Sequence, residues 1–189
     1  MKYKKANIEN LEEEVKEALK KKKGLFVYGG TGTGKTYTLH AIANHKMGKV
    51  NNFLPLVNQA KSQVRYLSRF VSDICSQDYL FLDDLGAETT STWIVDLLYM
   101  IINRRYEKEK PVFLSTNLTL EEFQARYGDR IMSRLVEMCE FVELKGEDKR
   151  LEPTEEEPVS EELLDKEISE QEKKNIEKIK KEIRDLLKL

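Results

Sequence analysis

Residues 29–36 read Gly29-Gly30-Thr31-Gly32-Thr33-Gly34-Lys35-Thr36, which matches the pattern G-x-x-x-x-G-K-[ST] with two additional glycines inside it. The apolar run Leu25-Phe26-Val27-Tyr28 precedes it and predicts a short buried strand. A helix-compatible segment follows from Thr36 to about Lys46, and Gly48 is suited to ending it. In this context backbone N–H groups and a helix N-terminus surround phosphates, so the stretch predicts a nucleoside triphosphate site.

Residues 29–36 are called the phosphate-binding loop below, and all eight are predicted to contact the nucleotide. Within the loop, Lys35 is expected to neutralise the β- and γ-phosphates and the Thr36 hydroxyl to bind Mg²⁺. A glycine-rich turn without a ligand is the alternative. The strand before the loop and the helix after it favour the nucleotide site.

Composition describes one globular domain with highly charged surfaces: 189 residues, 35% charged, 40% hydrophobic, net charge −2. Residues 1–146 carry 22 Lys and Arg against 19 Asp and Glu, whereas residues 147–189 carry 10 against 15. The body is therefore mildly basic and the tail acidic, and neither demands nucleic acid. Cys75 and Cys139 lack metal or disulfide spacing, and no signal peptide or membrane-spanning run is present. A cytoplasmic protein with no membrane partner is expected.

The run Tyr79-Leu80-Phe81-Leu82 predicts a strand that ends in two carboxylates, Asp83 and Asp84. The carboxyl ends of parallel strands open onto the ligand crevice. Asp83 is therefore expected to hold Mg²⁺ through its water shell, and Asp84 to polarise the attacking water. Aspartates that merely end a strand are the alternative. Glu88 is a weaker candidate for the base, and capping of the next helix is its plainer role.

A second strand, residues 111–117, also ends in polar residues, the last of which is Asn117. Asn117 is expected to orient a water at the γ-phosphate, with a turn-forming asparagine as the alternative. Thr119 and Glu122 have the spacing of a capping box and predict the start of another helix.

Residues 53–57 predict an edge or irregular strand because Pro55 lies inside an apolar run. A helix is predicted from Asn58 to about Cys75, and its core face includes Val64. Lys61, Arg65 and Arg69 follow at i, i+4 and i+8 on the opposite side, with Tyr66 close by. This basic stripe is suited to a single-stranded nucleic acid backbone, and a solvated helix face explains it equally well.

Strands and helices alternate throughout residues 1–150, which predicts a doubly wound α/β domain with a parallel sheet. Residues 7–23 predict its first helix, with Asn10 and Glu13 as a capping box. Beyond residue 150, an acidic, proline-containing linker and an amphipathic C-terminal helix are predicted over residues 151–189.

Residues 24–150 resemble the ATPase domain of DnaC-type bacterial helicase loaders and of IstB-type transposition ATPases, both AAA+ proteins. The phosphate-binding loop alone would be unspecific. The combination that carries the resemblance is that loop followed by Leu82-Asp83-Asp84-Leu85-Gly86, Ser115-Thr116-Asn117 and Ser133-Arg134-Leu135. About two-thirds of the chain is covered.

The resemblance implies a five-stranded AAA+ sheet sandwiched by helices, with ATP and Mg²⁺ as ligands. It implies that Asn117 is the sensor of the γ-phosphate and that Arg134 reaches a neighbouring subunit's site, with Arg130 as the alternative. It also implies a ring or spiral of identical subunits, and it favours DNA contact for Lys61, Arg65 and Arg69.

Two departures from the family pattern are expected. About two dozen residues precede the first strand, where DnaC-type loaders carry a helicase-binding domain, and the helical lid of AAA+ proteins is absent or reduced. The leading hypothesis is a helicase-loader-like ATPase in DNA replication, with a replicative helicase or a transposase as partner. The alternatives are a transposition helper ATPase and a nucleotide-gated assembly module with negligible turnover.

Overall fold

A computed structural model describes residues 3–21 and 24–146 of the chain. In this part the strands are β1 (Gly24–Tyr28), β2 (Val50–Asn52), β3 (Leu80–Leu85), β4 (Val112–Thr116) and β5 (Cys139–Glu143). The helices are α1 (Glu13–Lys20), α2 (Lys35–His45), α3 (Phe53–Ser62), α4 (Leu67–Ser76), α5 (Thr92–Glu107), α6 (Leu120–Tyr127) and α7 (Asp129–Met138).

The strands form one parallel sheet in the order β2-β3-β4-β1-β5. Side chains alternate across it, as β structure requires: Leu25 and Val27 of β1 face one layer, and Phe26 between them faces the other. Helices α1 and α2 cover the first face, and α3 to α7 cover the second. The predicted parallel five-stranded sheet between helical layers is confirmed.

The register of the strands brings three loops to one edge of the sheet. Tyr28, the last residue of β1, pairs with Thr116 at the end of β4, so the phosphate-binding loop starts beside Asn117. Strand β4 pairs with β1 along one edge and with β3 along the other. A bulge between Leu82 and Leu85 of β3 interrupts the pairing of β3 with β4. The two aspartates lie in this bulge. Bulges re-aim side chains next to functional sites, as this one does.

The strand predicted over residues 53–57 is wrong, because Phe53 is the first residue of α3. Strand β2 lies just before it, over Val50–Asn52. Pro55 lies in the first turn of α3, where the N–H that proline lacks would have no partner within the helix. The Asn52 side chain caps α3 by accepting a hydrogen bond from the Leu54 N–H at 3.2 Å.

The continuous helix predicted from Asn58 to Cys75 is also wrong. Helix α3 ends at Ser62, a 3₁₀ turn occupies Val64–Tyr66, and α4 begins at Leu67. The turn lets the chain pass from packing on β3 to packing on α5. It also exposes Val64, which was predicted to lie in the core.

The break corrects the basic stripe as well. Lys61 belongs to α3, Arg65 to the 3₁₀ turn and Arg69 to α4, so they do not share one face of one helix. The Lys61 ammonium instead lies 5.9 Å from the ring centre of Trp93.

The predicted boundary at residue 150, the reduced lid and the tail over residues 151–189 lie outside the described residues and stay predictions. Within the described part, no helix combines the length and apolar character needed to cross a bilayer.

Candidate functional site

A cavity of about 720 Å³ opens at the carboxyl ends of the strands. The predicted site residues that line it are those of the phosphate-binding loop from Thr31 onward, together with Asp83, Asp84 and Asn117. Residues distant in sequence therefore meet around one cavity, as the motifs predicted.

The phosphate-binding loop depends on glycine at its tightest points. Gly29 has φ +136°, and a Cβ there would lie 2.3 Å from the Leu144 carbonyl oxygen, so only glycine fits. Gly34 has φ +99° and directly precedes α2. The amino end of α2 thus opens on the cavity, where its dipole favours negative charge.

Lys35 is held inside the loop and is only 7% exposed. Its ammonium donates to the Gly29 carbonyl at 3.0 Å, to the Gly30 carbonyl and to Thr33 Oγ1 at 3.4 Å. A buried ammonium among loop carbonyls, beside the cavity and at the amino end of α2, is suited to an anionic ligand.

Thr36 and Asp83, the residues predicted to hold a metal, lie in direct contact. The Thr36 hydroxyl donates to Asp83 Oδ1 at 3.2 Å across α2 and β3. Hard oxygen donors of this kind suit Mg²⁺, which commonly takes one or two protein ligands and completes its shell with water and phosphate oxygens. The donor pair therefore fits the predicted cofactor.

Ser115 is a site residue that the sequence reasoning missed. Its hydroxyl donates to Asp83 Oδ1 and accepts from the Asp84 N–H at 3.0 Å, so one side chain fixes both aspartates. Ser115 is 1% exposed near the carboxyl end of β4, the middle strand of the sheet. Buried hydroxyls need partners, and a serine directly after the apolar residues of this strand was the signal available in the sequence.

Asp84 has φ +62°, a left-handed conformation that costs a non-glycine residue free energy. Its carboxylate Oδ1 accepts a hydrogen bond from Asn117 Nδ2 at 3.1 Å. The two residues predicted to handle water thus form a pair at the cavity wall. Strain maintained by surrounding contacts is typical of functional positions.

Glu88 neither caps a helix nor reaches the cavity. Helix α5 starts after Ser91 without a side-chain cap, and the buried Glu88 carboxylate accepts from Tyr127 and from the Gly86 N–H at 3.0 Å. Arg126 pairs with it at 3.6 Å. Burial, together with this carboxylate, raises the pKa of Tyr127, so the phenol stays protonated and donates. Glu88 therefore fastens the turn after Asp84 to α6.

The segment before α1 also lines the cavity, through Tyr3, Asn10, Leu11 and Glu12. The predicted capping box is absent, because a 3₁₀ turn occupies Ile8–Asn10 and α1 begins at Glu13 without a side-chain cap. Sequence patterns gave no sign of this wall of the cavity.

Helix α2 holds that segment in place. Asn44 donates to the Tyr3 and Ala6 carbonyls at 3.1 and 2.9 Å, and the rings of Tyr3 and His40 stack 4.7 Å apart. The wall is therefore tied to the helix that follows the phosphate-binding loop.

Arg134 does not line the cavity of its own chain. It lies on α7 and packs against α5, where its guanidinium contacts Tyr99, Asn103 and Tyr106. Arg130, the alternative, is exposed one turn earlier.

Lys61, Arg65 and Arg69, which were predicted to form one stripe, do not all line the same surface. Arg65 and Arg69 line a shallow groove of about 510 Å³ with Arg104, which lies in the last turn of α5. Arg104 reaches α4 by donating to the Ser68 carbonyl at 3.4 Å. This arginine groove is lined by Arg65, Tyr66, Ser68, Arg69, Ser72, Asp73 and Arg104.

Comparison with known proteins agrees with this geometry. The family model described as "IstB-like ATP binding protein" matches residues 14–157. The replicative helicase loader DnaI of Bacillus subtilis is 28% identical over 152 residues, which is 69% of this chain and 48% of that protein. The chain spans about half the length of these curated relatives.

Solved structures give the same result. The crystal structure of the DnaC helicase loader superimposes with a TM-score of 0.64 and 25% identity, covering 76% of this chain and 99% of that one. The replication initiator DnaA, bound to AMPPCP and single-stranded DNA, gives 0.61 and 26% over 71% of this chain and 45% of that one. The predicted AAA+ P-loop fold is confirmed.

Proposed function

This chain belongs to the IstB-like ATP-binding protein family, and on that premise we propose that it is a Mg²⁺-dependent ATPase acting on DNA in the manner of a helicase loader. The observation that supports hydrolysis is the convergence of Lys35, Thr36, Asp83, Asp84 and Asn117 on one cavity. Mg²⁺ bound there would neutralise charge on the phosphates.

Each residue then has a distinct role in the proposed reaction. Lys35 holds the β- and γ-phosphates, and Thr36 with Asp83 holds the metal. Asp84 accepts a proton from, or orients, the water that attacks the γ-phosphate, while Asn117 fixes the Asp84 carboxylate and senses that phosphate. Ser115 keeps both aspartates in position through its two hydrogen bonds.

Asp84→Asn is expected to bind ATP like the parent and to hydrolyse it at least about tenfold more slowly, because the amide cannot take a proton from water. Steady-state phosphate release at saturating ATP measures the rate, and titration with a fluorescent ATP analogue measures affinity. Asp78→Asn, at an exposed residue two positions before β3, is the matched control and should match the parent. A parental rate for Asp84→Asn would remove Asp84 from the reaction.

DNA is the proposed macromolecular ligand, and the arginine groove is its proposed contact. Three guanidinium groups and two serine hydroxyls provide phosphate donors, and Tyr66, which is 69% exposed, provides a stacking surface for a base. The DNA-bound DnaA relative supports a nucleic acid ligand for this fold. We expect weak, salt-sensitive binding of single strands with little sequence preference.

Replacing Arg65, Arg69 and Arg104 together with glutamine is expected to weaken single-strand binding and to flatten its log–log salt dependence by about two. Fluorescence anisotropy of a labelled oligonucleotide at several salt concentrations measures both. Lys61→Gln removes one charge outside the groove and should change neither strongly. An unchanged salt slope in the triple variant would mean that the groove does not contact DNA.

The identity of the partner protein distinguishes the helicase-loader hypothesis from the transposition-helper hypothesis. Helicase loading is favoured by the similarity to DnaI and DnaC, and transposition help by the IstB-like family model. Affinity capture from cells, with a replicative helicase or a transposase as the recovered protein, distinguishes them. A nucleotide-gated assembly module without turnover is the remaining alternative, and it predicts ATP binding without phosphate release, with or without single-stranded DNA.

Assembly into a ring or spiral of identical subunits follows from the proposed role of Arg134, which lies outside the cavity of its own chain. A neighbouring copy would receive it. The buried thiols of Cys75 and Cys139 suit the reducing cytoplasm, where we place the protein.

A further inference from the structure

Arg134 is held by neutral groups on its own chain. Its Nε donates to Asn103 Oδ1 at 2.8 Å, Nη1 to the Arg130 carbonyl at 3.0 Å and Nη2 to the Tyr99 hydroxyl at 3.2 Å. The rings of Tyr99 and Tyr106 lie 5.0 and 5.6 Å from the guanidinium carbon. The side chain is thus fixed on several sides.

Asn103 is itself oriented by a second contact. Its Nδ2 donates to Glu107 Oε1 at 2.8 Å, one turn along α5. Because an amide donates through nitrogen and accepts through oxygen, this bond turns the amide oxygen toward Arg134. Tyr106 is anchored in turn by donating to Glu137 at 2.7 Å. Arg134 is therefore held in place both by the residues that contact it and by the residues that orient those contacts.

The pattern differs from that of the structural arginines nearby. Arg126 pairs with the buried Glu88, and the fully buried Arg105 donates through both terminal nitrogens to the carbonyls of Cys75, Gln77, Asp78 and Pro111. For Arg134, no carboxylate of the described residues lies within ion-pair distance.

Among the described residues, the contacts leave each terminal nitrogen of Arg134 one further N–H to donate. A half-buried guanidinium that is held in place, not neutralised and still able to donate from both ends is suited to a phosphate.

We propose that Asn103, oriented by Glu107, and Tyr99 are positioning residues that preset Arg134 for the γ-phosphate bound by a second copy of this chain. The inference rests on the proposed ATPase and on the action of Arg134 in trans. Presetting matters because an ordered donor loses less conformational freedom when the phosphate arrives, and a displacement of about 1 Å can cost a hundredfold in rate.

Asn103→Ala tests the inference. We expect hydrolysis to fall by about ten- to a hundredfold with unchanged ATP affinity. Adding Lys35→Ala subunits should restore activity, because the defect lies on the arginine side of the interface. The double variant N103A/R134A should be no slower than Arg134→Ala alone, since Asn103 acts only through Arg134.

A pair of variants at residue 107 tests the orientation of Asn103. Glu107→Gln keeps a side-chain oxygen that can accept from Asn103 Nδ2, whereas Glu107→Ala removes that acceptor. The first variant should keep most of the parental rate, and the second should lose part of it. If Asn103 served stability alone, Asn103→Ala would lower the melting temperature, and adding Lys35→Ala subunits would not restore hydrolysis.

Four outcomes would overturn the inference. A parental rate for Asn103→Ala, when Arg134→Ala is defective, would show that Arg134 needs no presetting. Additive losses in N103A/R134A, or a failure of mixing to restore Asn103→Ala, would show that Asn103 acts elsewhere. A parental rate for Arg134→Ala would instead overturn the proposed function in trans, and the inference with it.

Discussion

Arg134→Ala is expected to bind ATP like the parent and to hydrolyse it about a thousandfold more slowly. Arg134 does not line the cavity of its own chain, so nucleotide affinity should not depend on it. An arginine supplied from a neighbouring subunit stabilises charge that develops on the transferred phosphoryl group, and that charge exists only in the transition state. Single-turnover phosphate release, compared with nucleotide titration, separates the two effects.

Arg130→Ala is the matched control, because Arg130 lies one turn earlier on the same helix and is exposed. If Arg130→Ala is the slow variant and Arg134→Ala is not, the alternative assignment is right. If Arg134→Ala also unfolds at markedly lower temperature and loses ATP binding, its contacts with Tyr99 and Asn103 serve stability alone.

Lys35→Ala is expected to abolish useful nucleotide binding. Removing one member of a buried, hydrogen-bonded charge pair costs about 2–5 kcal/mol, and the middle of that range corresponds to roughly several hundredfold in affinity. Lys35 is the buried cation of the phosphate-binding loop, where its ammonium lies against the Gly29 and Gly30 carbonyls. Titration with a fluorescent ATP analogue in the presence of Mg²⁺ measures the loss.

Lys46→Ala provides the control for Lys35→Ala. Lys46 follows the other end of α2 and lies over the ring of Tyr79, 4.6 Å from its centre, so the same charge is removed outside the cavity. It should bind ATP like the parent. Parental affinity in Lys35→Ala would exclude the phosphate-binding role of the loop.

The sequence correctly predicted those parts of the fold that depend on residues close together in the chain. The strand–loop–helix unit around Lys35 follows from an apolar run, a glycine loop and a helical segment that are contiguous in the chain. The capping box of Thr119 and Glu122 needs only residues three positions apart, and both of its hydrogen bonds form. Parallel pairing then brings Asp83 and Asn117 to the cavity without further information.

The features of the fold that the sequence did not predict depend on contacts between segments that are distant in the chain. The break between α3 and α4 has no glycine or proline to mark it, and the apolar spacing continues through it. It forms because α3 packs on the sheet and α4 on α5. Arg104 enters the arginine groove for the same reason, because only the packing of α4 on α5 brings it near Arg65.

Two elements of the site were also hidden from sequence reasoning. The role of Ser115 depends on β4 lying beside β3, which places its hydroxyl against Asp83. The cavity wall formed by Tyr3 depends on contacts with Asn44 about forty residues away. The resemblance includes Ser115 without giving it a role, and the segment around Tyr3 carries no motif, so periodicity alone could not assign either residue to the site.

The most direct test of the shared site is a mixing experiment with two inactive variants. Arg134→Ala supplies an intact Lys35, and Lys35→Ala supplies an intact Arg134, so some interfaces in a mixture are complete. If subunits assemble at random in equal amounts, about one interface in four should be complete and hydrolysis should recover in proportion. Phosphate release by the mixture, well above the sum of the separate variants, is the result we predict. A mixture no more active than that sum, under conditions where the parent assembles and hydrolyses ATP, would contradict a site shared between two copies.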